Sequence, residues 1–294
     1  MNTRLLVVLL VLVLLAGALA AGRPQPAASL PPRLADVQRA TARWRTLGLA
    51  TGVAVAGLSA TSGSLGRGVM LAGPLLALCV VLGVVVGELR VTAPPAGERT
   101  ALLEVRRVRD YLPRRLAGTV LTAVVLLTGL LVTTTAMGSR DDMGRNGRSL
   151  ARQCGALVSS TVGPWPGSYY SLPLAAVVGL GLLVAAVALR AVVRRPRQGV
   201  DLVADDVLRR RAAETVTAGA GLLVVVPFAG VAVITAGALN SIVRNGALND
   251  VSCAPSGWRV VATLLLLLVP VLLAVGAWCG GVLLGSTAPA TARR

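Results

Sequence analysis

Seven apolar runs dominate the chain, and each approaches or exceeds the length needed to cross the roughly 30 Å hydrocarbon core of a membrane. The runs cover residues 5–21, 47–62, 68–87, 117–137, 172–193, 216–238 and 260–285. The second run is the least apolar, because glycine, threonine and serine interrupt it. Only 14% of the residues are charged, well below the quarter that is usual in soluble domains. The sequence therefore predicts an all-α integral membrane protein with about seven transmembrane helices.

The basic residues are all arginine, and they are divided unevenly between the two sides of the predicted membrane. Loops 22–46, 88–116 and 190–215, together with the tail from residue 286, hold 21 arginines, against 8 in the remaining loops and the N-terminus. The positive-inside rule then predicts an N-terminus outside and a C-terminus inside. The expected location is a bacterial cytoplasmic membrane. The net charge of +17 is explained by topology, so no nucleic-acid partner is predicted.

The first span, within residues 1–30, has an alternative interpretation as a cleavable signal peptide. A basic start, an apolar stretch and the sequence Ala18-Leu19-Ala20, with small residues at its first and third positions, match that pattern. Cleavage would place every arginine-rich loop outside the cell, which the distribution of charge opposes. We therefore expect an uncleaved span.

Three acid-Val-x-Arg quartets precede spans two, four and six, each after a proline break. Their charged residues are Asp36 and Arg39, Glu104 and Arg107, and Asp206 and Arg209. An acid and an arginine three residues apart share one face of a helix and can pair. The pattern predicts one extra span followed by three parallel two-span units, 31–90, 94–193 and 196–286, and then a basic inner tail, 287–294.

Amphipathic helices are predicted on the cytoplasmic surface beside these quartets. Between residues 101 and 112, apolar residues recur at helical spacing and charged residues occupy the other faces. The arginines expected to face anionic lipid headgroups are Arg106, Arg107, Arg109, Arg114, Arg115, Arg209, Arg210 and Arg211. A docking surface for a membrane or cytoplasmic protein is the alternative. The sequence gives no indication of the oligomeric state.

Two copies of an Arg-Asn-Gly triplet, 145–147 and 244–246, are followed at the same spacing by Cys154 and Cys253. Both copies are expected in outer loops, where Asn-Gly favours a turn with positive φ. A disulfide between the two cysteines is predicted, because equivalent positions of parallel repeats can meet near their rotation axis. Unpaired thiols and intermolecular bonds are the alternatives.

Other residues on the outer side and in the spans have simpler expected roles. The 138–171 loop is long enough for a short helix around residues 149–158. Interfacial anchoring is expected for the aromatic residues Trp165, Tyr169, Tyr170 and Trp258. The two remaining cysteines, Cys79 and Cys279, lie within spans and should act as small packing residues.

The fourth span is unusually rich in hydroxyl groups. Thr119, Thr122 and Thr128 form a candidate polar pathway, although threonines in a membrane commonly bond to their own helix. No span carries an ionisable residue near its centre, which disfavours ionic cargo. Glycines four residues apart, such as Gly48 and Gly52, indicate close packing of helices.

The absence of histidine and lysine excludes several chemistries. Without histidine there can be no Ser-His or Cys-His mechanism and no histidine-ligated metal. Without lysine there can be no retinal Schiff base and no Walker phosphate loop. An enzyme using Asp141, Asp142 and Arg145 is conceivable, but a solvated loop explains these residues more simply. No cofactor or metal is expected. The sequence favours a non-catalytic scaffold, sensor or accessory subunit, with a transporter or channel for neutral or hydrophobic solutes as the alternative.

Overall fold

The computed structural model describes residues 32–62, 64–90, 108–154, 158–194, 202–248, 253–255 and 257–283. It is 84% helical, and five of its helices are long and apolar enough to cross a membrane, as predicted for an all-α membrane protein. The predicted first span, the basic tail and the middle quartet lie outside the described residues.

Seven α-helices, one short 3-10 helix (Ser64–Gly66) and one β-hairpin make up the described chain. The helices are α1 (Pro32–Ser62), α2 (Arg67–Leu89), α3 (Val108–Tyr111), α4 (Arg114–Met137), α5 (Ser168–Arg194), α6 (Leu202–Leu248) and α7 (Gly257–Leu283). The five apolar helices are α2, α4, α5, α6 and α7. Helix α1 contains the predicted second span, but its composition is less apolar and it is not among the five.

Helix α6 forms the centre of the bundle. The buried share of its apolar segment is 67%, against 22% for α4 and 17% for α7. Helices α2, α4, α5 and α7 pack around it, and α1 packs on the far side of α2. Because a helix buried on all sides needs apolar residues all round, the long Ala/Val/Leu composition of α6 suits this position.

Glycines allow two of the helix pairs to approach closely: α1 and α2, as the glycine spacing predicted, and α6 and α7, through a glycine that the spacing did not single out. A Cβ atom on Gly83 of α2 would lie 2.6 Å from the carbonyl oxygen of Trp44 on α1. A Cβ atom on Gly221 of α6 would lie 2.6 Å from the sulfur of Cys279 on α7. Larger residues at either position would force these helices apart.

The three proposed units differ in local geometry. The α1–α2 and α6–α7 pairs are closely packed hairpins, whereas α4 and α5 diverge and make few contacts with each other. Pro113 separates α3 from α4, but the corresponding part of the third unit belongs to the unbroken α6, 47 residues long. The segments proposed as repeats therefore differ in their local geometry.

The loop between α4 and α5 forms an antiparallel β-hairpin, so the short helix expected around residues 149–158 is wrong. Strand β1 (Leu150–Gln153) pairs with β2 (Ser159–Val162), with Leu150 opposite Val162. An additional bridge between Ser139 and Ser149 continues the pairing towards α4. The serines, threonine and valine of this segment suit a pleated, half-exposed ribbon better than a helix.

Candidate functional site

The cap consists of residues 138–154, 158–167 and 253–255, at the end of the bundle where α4 and α6 finish. A disulfide between Cys154 and Cys253 joins its two parts, with an S–S distance of 2.06 Å and a sequence separation of 99. The predicted pairing is therefore confirmed. Cys79 and Cys279 are free, and Cys279 is buried between helices, in keeping with a packing role.

A small hydrophobic core lies beneath the cap and is separate from the core of the spans. Leu150, Trp165 and Ile242 are buried here together with both disulfide cysteines. Trp165 is only 1% exposed, and its indole N–H donates to the carbonyl of Thr134 at 2.7 Å. This carbonyl lies in the last turn of α4, where no intrahelical donor is available. The expectation that Trp165 anchors the chain at the membrane interface is wrong.

The other aromatic residues near the cap also have specific partners. Tyr170 is buried and donates its hydroxyl to the carbonyl of Leu65 at 2.8 Å, which ties α5 to the turn before α2. The guanidinium group of Arg67 lies 5.3 Å from the ring centre of Tyr169, and that of Arg152 lies 4.7 Å from Trp258. These distances are within the range of cation–π attraction.

Asp141 organises the turn that leads into the hairpin. Its Oδ2 atom accepts hydrogen bonds from Arg145 Nε and Arg148 Nη1, each at 2.7 Å, and its Oδ1 accepts the Arg145 amide at 2.8 Å. Desolvation of the carboxylate would raise its pKa, but the hydrogen bonds from Arg148 and Arg145 outweigh this and hold the pKa of Asp141 well below its usual range. A carboxylate held in this way is a poor general base, because it does not take up a proton near neutral pH.

The two Arg-Asn-Gly triplets adopt different conformations. Gly147 has φ of 72°, and a Cβ atom there would collide with the backbone of Ser168. The predicted turn at the first triplet is thus confirmed, and only glycine fits it. The second triplet lies in the last turns of α6, so its predicted turn is wrong. Asn245 instead donates a hydrogen bond to Ser160 Oγ at 3.4 Å, joining α6 to β2.

The arginine end of the bundle lies opposite the cap and includes α3, the start of α4 and the start of α6. Most of the predicted headgroup-facing arginines that the structure describes are exposed here: Arg109, Arg114, Arg115, Arg210 and Arg211. Asp206 is also exposed and accepts a hydrogen bond from the Tyr111 hydroxyl at 3.2 Å. The side chains of Asp36 and Arg39, and the whole of Glu104, Arg106 and Arg107, lie outside the described part of the chain.

Arg209 departs from this pattern and corrects the prediction made for it. Its side chain is 1% exposed, and its Nη1 donates to the carbonyls of Val192 at 2.9 Å and Val193 at 3.1 Å. These carbonyls end α5, where the unsatisfied acceptors and the negative end of the helix dipole attract a cation. Arg209 therefore holds α5 against α6 and does not face lipid headgroups.

Arg45 makes a similar contact that the sequence did not suggest. Its Nη1 donates to the carbonyl of Leu283 in the last residue of α7, at 2.6 Å. The two residues are 238 positions apart, so no local pattern could have paired them. Together with Arg209, this contact shows two arginines capping the C-terminal ends of two helices, α5 and α7.

The three threonines of the candidate pathway do not form one continuous polar surface. Thr119 donates to the carbonyl of Arg115 in its own helix at 3.0 Å, as the alternative interpretation expected. Thr122 is exposed on α4. Only Thr128 lines the α4–α5 groove, a cleft of about 480 Å³ bounded by the helix segments from Val124 to Ala136 and from Ser171 to Leu182. Nearly all of this lining is apolar.

Comparisons with known proteins found no matching family model, no matching curated protein and no matching solved structure. In the part of the chain that the structure describes, no three histidine, cysteine or acidic side chains lie together as a metal site would require.

Proposed function

We propose that the chain is a multi-pass protein of a bacterial cytoplasmic membrane and serves as a non-catalytic scaffold, sensor or accessory subunit. The proposal adds two spans, residues 5–21 and the second half of α1, to the five apolar helices, giving seven. In this topology the N-terminus and the cap are outside, and the C-terminus and the arginine end are inside. One extra span precedes three parallel two-span units.

The observation that carries this proposal is the cap, which is covalently joined across 99 residues and has its own buried core. Disulfides persist in oxidising compartments, which agrees with a position outside the cytoplasm. A cross-linked surface loses little conformational entropy when a partner binds, so it is well suited to recognition. The exposed residues Arg152, Gln153 and Thr161 of the hairpin are the proposed contact surface.

The arginine end has a different proposed role. Arg114, Arg115, Arg210 and Arg211 are exposed there and are available to anionic headgroups, or to an acidic membrane or cytoplasmic protein. Electrostatic contact with headgroups is worth roughly 1 kcal/mol per arginine near the surface. Such contacts would fix the depth and orientation of the bundle while the cap meets its partner.

The α4–α5 groove is the observation that favours the alternative, a transporter or channel for neutral or hydrophobic solutes. It does not support a continuous route, because its lining ends at Leu182 on α5 and at Val124 on α4. The remaining turns towards the arginine end pack on α6 through Leu116, Val120 and Ala188. This packing supports a scaffold over a carrier.

The scaffold proposal is tested by photo-crosslinking in intact cells. A photoreactive residue replaces Gln153 or Thr161 on the hairpin, and the matched control carries it at Val125, which is exposed on α4 away from the cap. We expect a discrete protein adduct from the hairpin positions. The adduct should be lost in Cys253→Ser and should not form from Val125. If none of the exposed cap positions gives a protein adduct, the proposal is contradicted.

Solute flux in proteoliposomes tests the alternative directly. The scaffold proposal expects no protein-dependent movement of small neutral or hydrophobic solutes. Because only Thr128 of the two threonines lines the groove, Thr128→Phe should block any flux through it and Thr122→Phe should not. Flux with this dependence would show that the protein is a transporter or channel.

A further inference from the structure

The α4–α5 groove has the shape and chemistry of a site for a single hydrocarbon chain. It runs along two apolar helices that are long enough to span a membrane, and it occupies the halves of these helices nearer the cap. We propose that it binds one acyl chain of a lipid from the membrane leaflet on the cap side. This proposal does not depend on the function of the cap or on the orientation of the bundle.

The lining excludes water as a stable occupant. Leu127, Leu131, Val178 and Leu182 contribute apolar side chains, and the few polar atoms are hydroxyls. Apolar cavities of this kind stay dry, because a water molecule needs two to four polar partners. A flexible hydrocarbon chain instead gains dispersion contacts along the whole groove.

The dimensions of the groove suit a single extended hydrocarbon chain. The lining extends over about 11 residues of α5, or roughly 16 Å at the rise of an α-helix. The groove has a volume of about 480 Å³ along that length, so it is narrow for its length. A helix packed across the mouth of the groove is distinguished from a lipid by the crosslinking experiment below.

The cap end of the groove offers a polar anchor for the chain's attached group. The hydroxyls of Thr135 on α4 and Ser171 on α5 lie 2.6 Å apart and close the groove at this end. Ser171 is only 4% exposed. This contact uses one of the two hydroxyl hydrogens, and the other can donate to an ester carbonyl. A lipid would thus have its ester linkage at the hydroxyl pair and its chain along the groove.

The proposal is tested on the full chain in phosphatidylethanolamine–phosphatidylglycerol vesicles that contain a phosphatidylglycerol with a diazirine in one acyl chain. After irradiation, labelled residues are located by mass spectrometry. Labelling should concentrate on the groove segments of α4 and α5, in excess of Leu264 and Leu267, which α7 exposes to bulk lipid. Equal labelling of the groove and of these α7 leucines would overturn the proposal.

Two glycines provide matched variants. Gly179 lines the groove and Gly129 lies on α4 outside it, and a Cβ atom on either would meet no neighbour within 4 Å. Gly179→Phe should remove the excess labelling of the groove, whereas Gly129→Phe should retain it. If both variants behave alike, the excess does not come from a chain bound in the groove.

Two further measurements make the result decisive. Intact formation of the Cys154–Cys253 disulfide reports correct folding, and Ala175→Leu replaces Gly179→Phe if the latter fails to form it. A photoreactive residue at Ala175 in cell membranes should give a lipid adduct. A protein adduct in its place would overturn the proposal in favour of a partner helix.

Discussion

The two ends of the bundle use the same residue type in different ways. At the cap, Arg145 and Arg148 converge on Asp141, whose single negative charge offsets one of their two positive charges. At the opposite end, Arg114 and Arg210 extend from the ends of their helices and are exposed. The number of arginines at an end therefore does not show what they do; the contacts of each arginine determine what it stabilises.

The two ends also differ in how they are held together. The cap combines a disulfide, a buried tryptophan and a hydrogen-bonded ion cluster within about thirty residues. Among the described residues, the arginine end is held by single side chains that reach the ends of other helices, such as Arg209 and Arg45. We expect substitutions in the cap to have larger effects, with Arg209 as the main exception.

The largest effect is expected from Cys154→Ser or Cys253→Ser. The disulfide closes a loop with a sequence separation of 99. In the chain-entropy model such a cross-link contributes about 4–5 kcal/mol to the free energy of unfolding. Each single variant should lose this amount in denaturant unfolding in detergent, and the double variant should lose little more. Clearly additive losses, or an equal loss in the control Cys79→Ser, would contradict a shared bond.

Arg209→Met should produce the next largest effect, at the opposite end. It leaves the carbonyls of Val192 and Val193 without their charged donor, for an expected loss of about 2–3 kcal/mol in the free energy of unfolding. The neighbouring Arg210→Met changes an exposed side chain and should alter stability by less than about 0.5 kcal/mol. Equal losses in the two variants would show that the capping contact has no energetic importance.

Asp141→Asn should destabilise the cap less than loss of the disulfide and should change its response to acid. The folded pKa of Asp141 is depressed, so its stabilising effect is fully present above the unfolded pKa of about 3.9 and is lost as pH falls below that value. Thermal unfolding at pH 7 and pH 3 should therefore show a smaller pH-dependent change in Asp141→Asn than in the parent protein. The exposed Asp142→Asn is the control and should behave like the parent.

The smallest change in stability is expected from the double variant Arg210→Gln, Arg211→Gln. Both side chains are exposed, so the free energy of unfolding should change by less than about 0.5 kcal/mol. Removing charge from one side should nevertheless increase the fraction of inverted molecules. Thiol accessibility in intact cells, measured after reduction of the cap disulfide, reports that fraction. If the orientation is unchanged, these two arginines do not determine the orientation of the protein in the membrane.

The sequence predicted those features that depend on local pattern. The apolar runs 68–87 and 117–137 match α2 and α4 to within three residues at each end, because charged or helix-breaking residues border them. Run 216–238 captured only the central part of α6, since polar residues continue the same helix on both sides. The disulfide followed from the equal spacing of two cysteines.

The remaining features depend on neighbours that are distant in sequence. Trp165 resembles an interfacial anchor until the carbonyl of Thr134 is seen to accept its N–H. The two Arg-Asn-Gly triplets have identical letters, yet one is a turn against Ser168 and the other ends a helix. Pairwise contacts of this kind are set by tertiary packing, which single-sequence patterns do not contain.

The position of the disulfide also determines when the protein can be completed during synthesis. Cys154 is translated 99 residues before its partner, and the whole of α5 and α6 must follow it. At about 5–20 residues per second, the first thiol waits roughly 5–20 s before Cys253 leaves the ribosomal peptidyl-transferase centre. During that interval Cys154 has no partner, so its thiol is available to any thiol oxidant or disulfide isomerase. A ribosome stalled within α6 would therefore carry Cys154 as an unpaired thiol, whereas in the folded protein its sulfur is bonded to Cys253.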